Sequence, residues 1–153
     1  MKRVLVTGGL GFIGTSLVPK LQGMFGADIR IFDNMSNPSG DLDITDGIEV
    51  VEGDVRDAAA VRRAVHGVDA VVHLAAHPRV IDSIEDPQLN FDINTTGTFN
   101  VLEAMRQEDV PLLVNASTGG AILGEVPPPI NEDIAAKPAS PYGASKLAGE
   151  GYC

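Results

Sequence analysis

Thr7-Gly8-Gly9-Leu10-Gly11-Phe12-Ile13-Gly14 is the stretch that decides the fold. It is preceded by a short apolar run, Lys2 to Thr7, that reads as a strand, and it opens an amphipathic run, Phe12 to Gln22, that reads as a helix. Two registers fit, Gly9-x-Gly11-x-x-Gly14 and Gly8-x-x-Gly11-x-x-Gly14. In either, the glycines let the backbone turn tightly and come close to a pyrophosphate, whose charge meets the amides and dipole at the helix N-terminus. A second strand, Ala27 to Asp33, ends on a carboxylate 22 residues after Gly11, where it can accept hydrogen bonds from a ribose diol. No arginine follows Asp33 to receive a 2′-phosphate, so NAD is expected rather than NADP.

Working outward, Asn34 to Gly47 has no sustained period and reads as a loop. A third strand is expected at Ile48 to Gly53, a helix at Asp57 to His66 with Asp57 as its cap, and a fourth strand at Asp69 to Leu74. Between Leu89 and Glu108, apolar and small residues recur every three or four positions, which predicts one long helix. Pro111 to Asn115 reads as strand five, Ala116 to Ala139 as a long proline-stiffened connection, and Ser140-Pro141 as the cap and first residue of a last helix. Strands alternating with helices indicate an α/β fold with a doubly wound parallel sheet, whose ligands sit at the carboxyl ends of the strands.

Composition narrows the classes. The 153 residues suit one domain, and with 5% aromatics and no Trp in the chain its core must be built mainly from Val, Ile, Leu and Ala, as in buried parallel strands. A formal charge of -10 opposes binding to nucleic acid or to an anionic membrane. The single cysteine, Cys153, excludes an internal disulfide, and His66, His73 and His77 form no metal-ligand spacing with it. With no signal peptide or membrane span in the sequence, the expected compartment is the cytoplasm.

Tyr142 and Lys146 carry the chemistry. At i and i+4 they share a helix face near the positive end of its dipole, so the ammonium can favour the phenolate of a group that ordinarily ionises near pH 10. Alone, Tyr-x-x-x-Lys is a weak signal.

With Asp33-Asn34, Gly53-Asp54-Val55, His73-Leu74-Ala75-Ala76, Asn94-x-x-Gly97-Thr98 and Ala116-Ser117-Thr118-Gly119-Gly120 in this order, the chain resembles the extended short-chain dehydrogenase/reductase family. It is most similar to the UDP-glucose 4-epimerase-like, NAD-dependent members, along its whole length. The resemblance implies a Rossmann-like NAD-binding domain at 1–153, incomplete after the fifth strand and the start of the next helix, with the C-terminal substrate domain absent. It implies cofactor contacts at Gly8, Gly11, Phe12, Ile13, Gly14, Asp33 and Asn34, adenine contacts at Asp54 and Val55, and a cofactor path along Leu74, Ala75 and Ala76. Asn94 would support the active site. Tyr142 would take the proton of a sugar hydroxyl while its carbon loses hydride, Lys146 would lower the tyrosine pKa and hold the nicotinamide ribose, and Thr118, rather than Ser117, would bond the reacting oxygen.

A nucleotide sugar is the implied substrate. The related 4,6-dehydratases typically carry Asp-Glu after the threonine, where this chain has Gly119-Gly120, so epimerisation is expected over dehydration. Leu123 stands where many relatives have tyrosine. Relatives run to about twice this length and pair as homodimers through the long helix and the helix opening at Tyr142. An isolated 1–153 is therefore expected to bind NAD weakly at best and to turn over no nucleotide sugar, with strand five left as an apolar edge unless something covers it. Two other readings are a dinucleotide-binding module, alone or as half of a split protein, and a structural dimer unit.

Overall fold

Val4, Leu5 and Val6 are almost fully shielded from solvent on both sides, because β1 (Arg3–Thr7) runs through the middle of a five-stranded sheet. The computed structural model describes residues 3–40, 44 and 46–153; Lys2, expected in the first strand, and part of the expected loop after Asp33 lie outside them. Strands β2 (Asp28–Asp33), β3 (Ile48–Glu52), β4 (Ala70–His73) and β5 (Leu112–Asn115) complete the sheet in the order β3-β2-β1-β4-β5. Every pairing is parallel. The chain therefore reverses its direction of travel between β1 and β4, and the crevice above their carboxyl ends is the topological switch point where ligands of such sheets bind.

Alternate side chains divide into two cores. On one face Val4, Val6, Ile29, Ile31 and Val72 pack with Val18 of α1 (Phe12–Phe25). On the other, Leu5, Phe32 and Val71 pack with Val61, Ala64 and Val65 of α2 (Ala58–Val65) and Val101, Ala104 and Met105 of α5 (Gly97–Gln107). The expected cap of α2 is present, Asp57 accepting from the amides of Ala59 at 2.9 Å and Ala60 at 3.0 Å. Helix α1 continues through Pro19 to Phe25, one turn beyond the expected end, and stops at left-handed Gly26.

Three features differ from the sequence reading. A short helix, α3 (Val80–Glu85), precedes the long one. The long helix is α4 (Pro87–Phe91), a π-helical turn over Asp92–Thr96, and α5 in continuous succession. The connection from Ala116 to Ala139 contains α6 (Gly119–Leu123) before α7 (Pro141–Tyr152) begins. Strand β5 lies at the edge as expected, with Leu112 and Val114 exposed.

Candidate functional site

The glycine turn closes over the switch point. Gly8 has φ +67°, and a Cβ there would lie 2.7 Å from the Ala75 amide nitrogen, so the first turn and the segment after β4 touch only because Gly8 has no side chain. A Cβ on Gly14 would collide with the Gly9 carbonyl, which holds α1 tightly against the turn. Gly11 caps α1 without a side chain, leaving the amides of its first turn, from Phe12 to Gly14, facing the crevice end of the helix. Asp33 is placed by two backbone amides, Leu10 to Oδ2 at 3.0 Å and Met35 to Oδ1 at 2.9 Å. Each carboxylate oxygen keeps a second lone pair, so a diol can still donate to it.

The neighbouring Asp54 is held differently. Arg56 donates to it from Nε at 2.9 Å, from Nη2 at 2.7 Å and from its backbone amide at 2.9 Å, and Asn34 Nδ2 adds a 3.3 Å bond. The Arg56 hydrogen bonds hold the Asp54 carboxyl down to about 2 against the opposing effect of partial burial. Its four acceptor positions are filled, so a base amino group docking there would displace the longest bond, that of Asn34. Arg56 is a residue the sequence reading passed over. Val55 is buried against Gly97, where a Cβ would come within 2.6 Å of Val55 Cγ2.

Beyond β4, the half-buried Leu74, Ala75 and Ala76 lead to His77, whose backbone is gripped by the buried Asn94. Asn94 Oδ1 accepts the His77 amide at 2.8 Å, and Asn94 Nδ2 donates to the His77 carbonyl at 3.1 Å. The same Nδ2 donates to Ser145 Oγ at 3.1 Å, and Ser145 donates to buried Asn90 at 2.8 Å. Asn94 thus fastens the post-β4 loop and α7 together, with Asn90 and Ser145 as partners that the sequence did not disclose.

Helix α7 is fixed at its start. Ser140 Oγ accepts the Gly143 amide at 3.1 Å, Pro141 has no N–H to satisfy, and the Tyr142 amide donates to Ser83 Oγ on α3 at 3.1 Å. Tyr142 is half-buried, while Lys146, one turn on, is only 6% exposed. Burial lowers the Lys146 pKa, and the carboxylate of Glu150 partly opposes that. Thr118 is half-buried at the N-terminus of α6, and α6 lies against α7 where Gly143 meets the Ala121 carbonyl. Thr118 therefore stands at the N-cap of α6, which adjoins the helix bearing Tyr142 and Lys146.

A family profile described as NAD dependent epimerase/dehydratase family matches residues 4–153. The chain belongs to the NAD dependent epimerase/dehydratase family. Within that family, the UDP-glucose 4-epimerase of Mycolicibacterium smegmatis is 38% identical over 155 residues, covering 98% of this chain and 50% of that protein. A dTDP-glucose 4,6-dehydratase of the same organism is 34% identical over 154 residues, covering 97% and 46%. Among solved structures, the UDP-glucose 4-epimerase of Thermus thermophilus in complex with NAD superposes with a TM-score of 0.91 at 44% identity, covering 98% of this chain and 49% of that one. The chain spans about half the length of the family members it matches.

Proposed function

We propose that this chain forms the cofactor-binding and proton-transfer part of an NAD-dependent UDP-sugar 4-epimerase. Two observations carry the reading: the Gly8–Gly14 turn has Asp33 hydrogen-bonded beneath it at the end of β2, and the helix bearing Tyr142 buries Lys146, whose charge acts on His73 at the end of β4. The residues present fit NAD: a glycine turn packed so closely on Ala75 and on itself that Gly8 and Gly14 have no room for a Cβ, open first-turn amides, and a carboxylate with lone pairs to spare. When bound there, NAD supplies a reversible hydride acceptor. Gly8, Gly11, Phe12, Ile13 and Gly14 would hold its pyrophosphate, Asp33 and Asn34 its adenosine ribose, Asp54 and Val55 its adenine, and Leu74 to Ala76 its path across the sheet.

Tyr142, as phenolate, would accept the proton of the sugar hydroxyl, Thr118 would hydrogen-bond that sugar oxygen, and Lys146 would favour the phenolate and hold the nicotinamide ribose. The proton returns from Tyr142 when the keto sugar is reduced on its other face, which inverts the centre. The relatives' UDP-glucose supports a UDP-hexose substrate, and their double length supports a C-terminal half that completes the pocket. Dehydration is disfavoured because Gly119 and Gly120 carry no acid, and nothing lies within 4 Å of where a Cβ would stand on either. The exposed Phe91, Phe99 and Tyr152 on the helices following Pro87 and Pro141 support a homodimer through that face, and a cytoplasmic setting agrees with such a substrate.

Calorimetry decides the cofactor: NAD gives a heat of binding, NADP does not, and Asp33→Asn weakens the signal at least about tenfold, roughly the loss of one hydrogen bond to a charged group. In the natural protein carrying this sequence, Tyr142→Phe should lower epimerisation of UDP-glucose about 10²–10⁴-fold with NAD affinity kept. Equal heats for both dinucleotides, or full turnover by Tyr142→Phe, would overturn the reading. Epimerisation at ordinary enzyme rates by residues 1–153 alone would show that the C-terminal half is not required.

A further inference from the structure

His73 is the one imidazole in the two cores, 1% exposed, on the face of the sheet covered by α5. Both ring nitrogens are in use: Nδ1 lies 2.7 Å from Thr7 Oγ1, and Nε2 lies 3.1 Å from Thr98 Oγ1. A count of hydrogens settles the direction of each bond. Thr98 Oγ1 is 2.6 Å from the Asn94 carbonyl, which can only accept, so the single Thr98 hydroxyl proton lies on that line. Towards His73, Thr98 can then only accept, which requires a proton on Nε2. A neutral ring with its proton on Nε2 has a bare Nδ1, so the Thr7 hydroxyl donates to it. The lone pair left on Thr7 Oγ1 accepts the Ala75 amide at 3.3 Å.

The result is a one-way chain, Ala75 N–H to Thr7, Thr7 to His73, His73 to Thr98, Thr98 to Asn94. It begins at the segment that Gly8 backs onto and ends at the π-helical turn. From there the Asn94 side chain reaches Ser145, the residue before Lys146.

We propose that His73, as the neutral Nε2–H tautomer, is a positioning residue whose one-way hydrogen-bond chain ties the cofactor cradle to the helix bearing Tyr142 and Lys146. This rests on the epimerase reading for the roles of those two residues, but the tautomer and the chain of bonds stand on geometry alone. The chain has no slack, because each hydroxyl has one proton and each is committed. A dinucleotide lying along Gly8 and Ala75 and the lysine meeting its ribose are then held at a fixed separation by groups that touch neither.

The test has two arms. In the unaltered 153-residue chain, nitrogen-15 NMR of the three histidines should show His73 with a protonated Nε2 and a bare Nδ1, unchanged between pH 7 and pH 5. An Nδ1–H ring, or one exchanging between tautomers, overturns the proposal whatever else is found. In the second arm, Thr98→Val keeps the shape and removes the hydroxyl, and Thr98→Ser restores it. Thr98→Val should weaken NAD binding at least about fivefold, about 1 kcal/mol, and move the titration of carbon-13-labelled Lys146 up towards the ordinary lysine value as α7 loosens. Thr98→Ser should return both.

A folded Thr98→Val with unchanged NAD affinity and an unchanged Lys146 titration overturns the positioning role. If Thr98→Val does not fold, the tautomer arm decides. If the unaltered chain shows no heat with NAD, the cofactor reading fails separately, and the tautomer and Lys146 measurements still judge the chain of bonds.

Discussion

Burial pushes the His73 imidazole down to about 3, and the charge of Lys146 adds to the effect. In the unfolded chain the same group titrates near 6.5, so between those values the unfolded state binds a proton that the folded state does not. Stability from this source is fully present above about pH 6.5 and is lost as pH falls, at about 1.4 kcal/mol per unit until pH nears 3. From pH 7 to pH 5 the loss is about 2 kcal/mol. Urea unfolding of the chain and of His73→Gln at pH 7, 6 and 5 checks this. The variant should lose that much of the decline, and parallel pH dependences would show that His73 protonates readily in the folded state. At this scale the sequence was informative about residues and silent about partners. Thr7, His73, Asn94 and Thr98 all fall within the quoted motifs, yet their joining depends on β1, β4 and the start of α5 coming together from 66 and 25 residues apart. Arg56, Ser83 and Asn90 bear no local pattern at all. Only the folded chain shows that they hold Asp54, the Tyr142 amide and Ser145.

Helix α7 contains three glycines with different surroundings, and the contrast separates packing from propensity. Gly143 stands where a Cβ would run into the Ala121 carbonyl, whereas nothing lies within 4 Å of one on Gly151. Gly151→Ala should therefore stabilise the chain by up to about 1 kcal/mol, as replacing a helical glycine does on an open surface. Gly143→Ala should destabilise it by about 1–3 kcal/mol, because α6 must move away to admit the methyl group. Thermal melts of the two variants give the signs. Since Thr118 begins α6, the proposed epimerase role predicts that Gly143→Ala also reduces epimerisation more than its stability loss accounts for at 25 °C. Stabilisation by both substitutions would show that α6 is not seated against α7. Such contacts also explain which elements were legible beforehand. The strands, the two capped helices and the long periodic helix announce themselves through pattern and through Asp57, Ser140 and Pro141. Helices α3 and α6, six and five residues long, are too short for a 3.6-residue period to register and exist through contacts with α7.

Over the whole molecule, two of the apolar surfaces among the described residues predict different kinds of association. One is the sheet edge at β5, where Leu112 and Val114 are 56% and 63% exposed and a row of backbone groups lies beyond them. Register puts both residues on the face of Ala70 and Val72, beside the core that α1 covers. An uncovered edge of this sort adds strands from other copies without a defined end point, so its association grows with concentration. The other surface is helical: Phe99 and Tyr152 meet edge to face at 5.6 Å, each about half exposed, on α5 and α7. A two-fold contact between such faces closes on itself and stops at the dimer. Sedimentation velocity across a range of concentrations distinguishes them. Phe99→Glu should remove a discrete dimer and leave any larger species, while Val114→Lys should suppress the larger species and leave the dimer. Val114 is exposed, so Val114→Lys should keep the melting behaviour of the parent within about 0.5 kcal/mol, whereas Phe99→Glu also gives up the ring contact with Tyr152, about 0.5–1.5 kcal/mol. A marked loss of stability in Val114→Lys would show that the β5 edge is covered in solution, and a dimer that survives Phe99→Glu would move the proposed two-fold contact off α5 and α7.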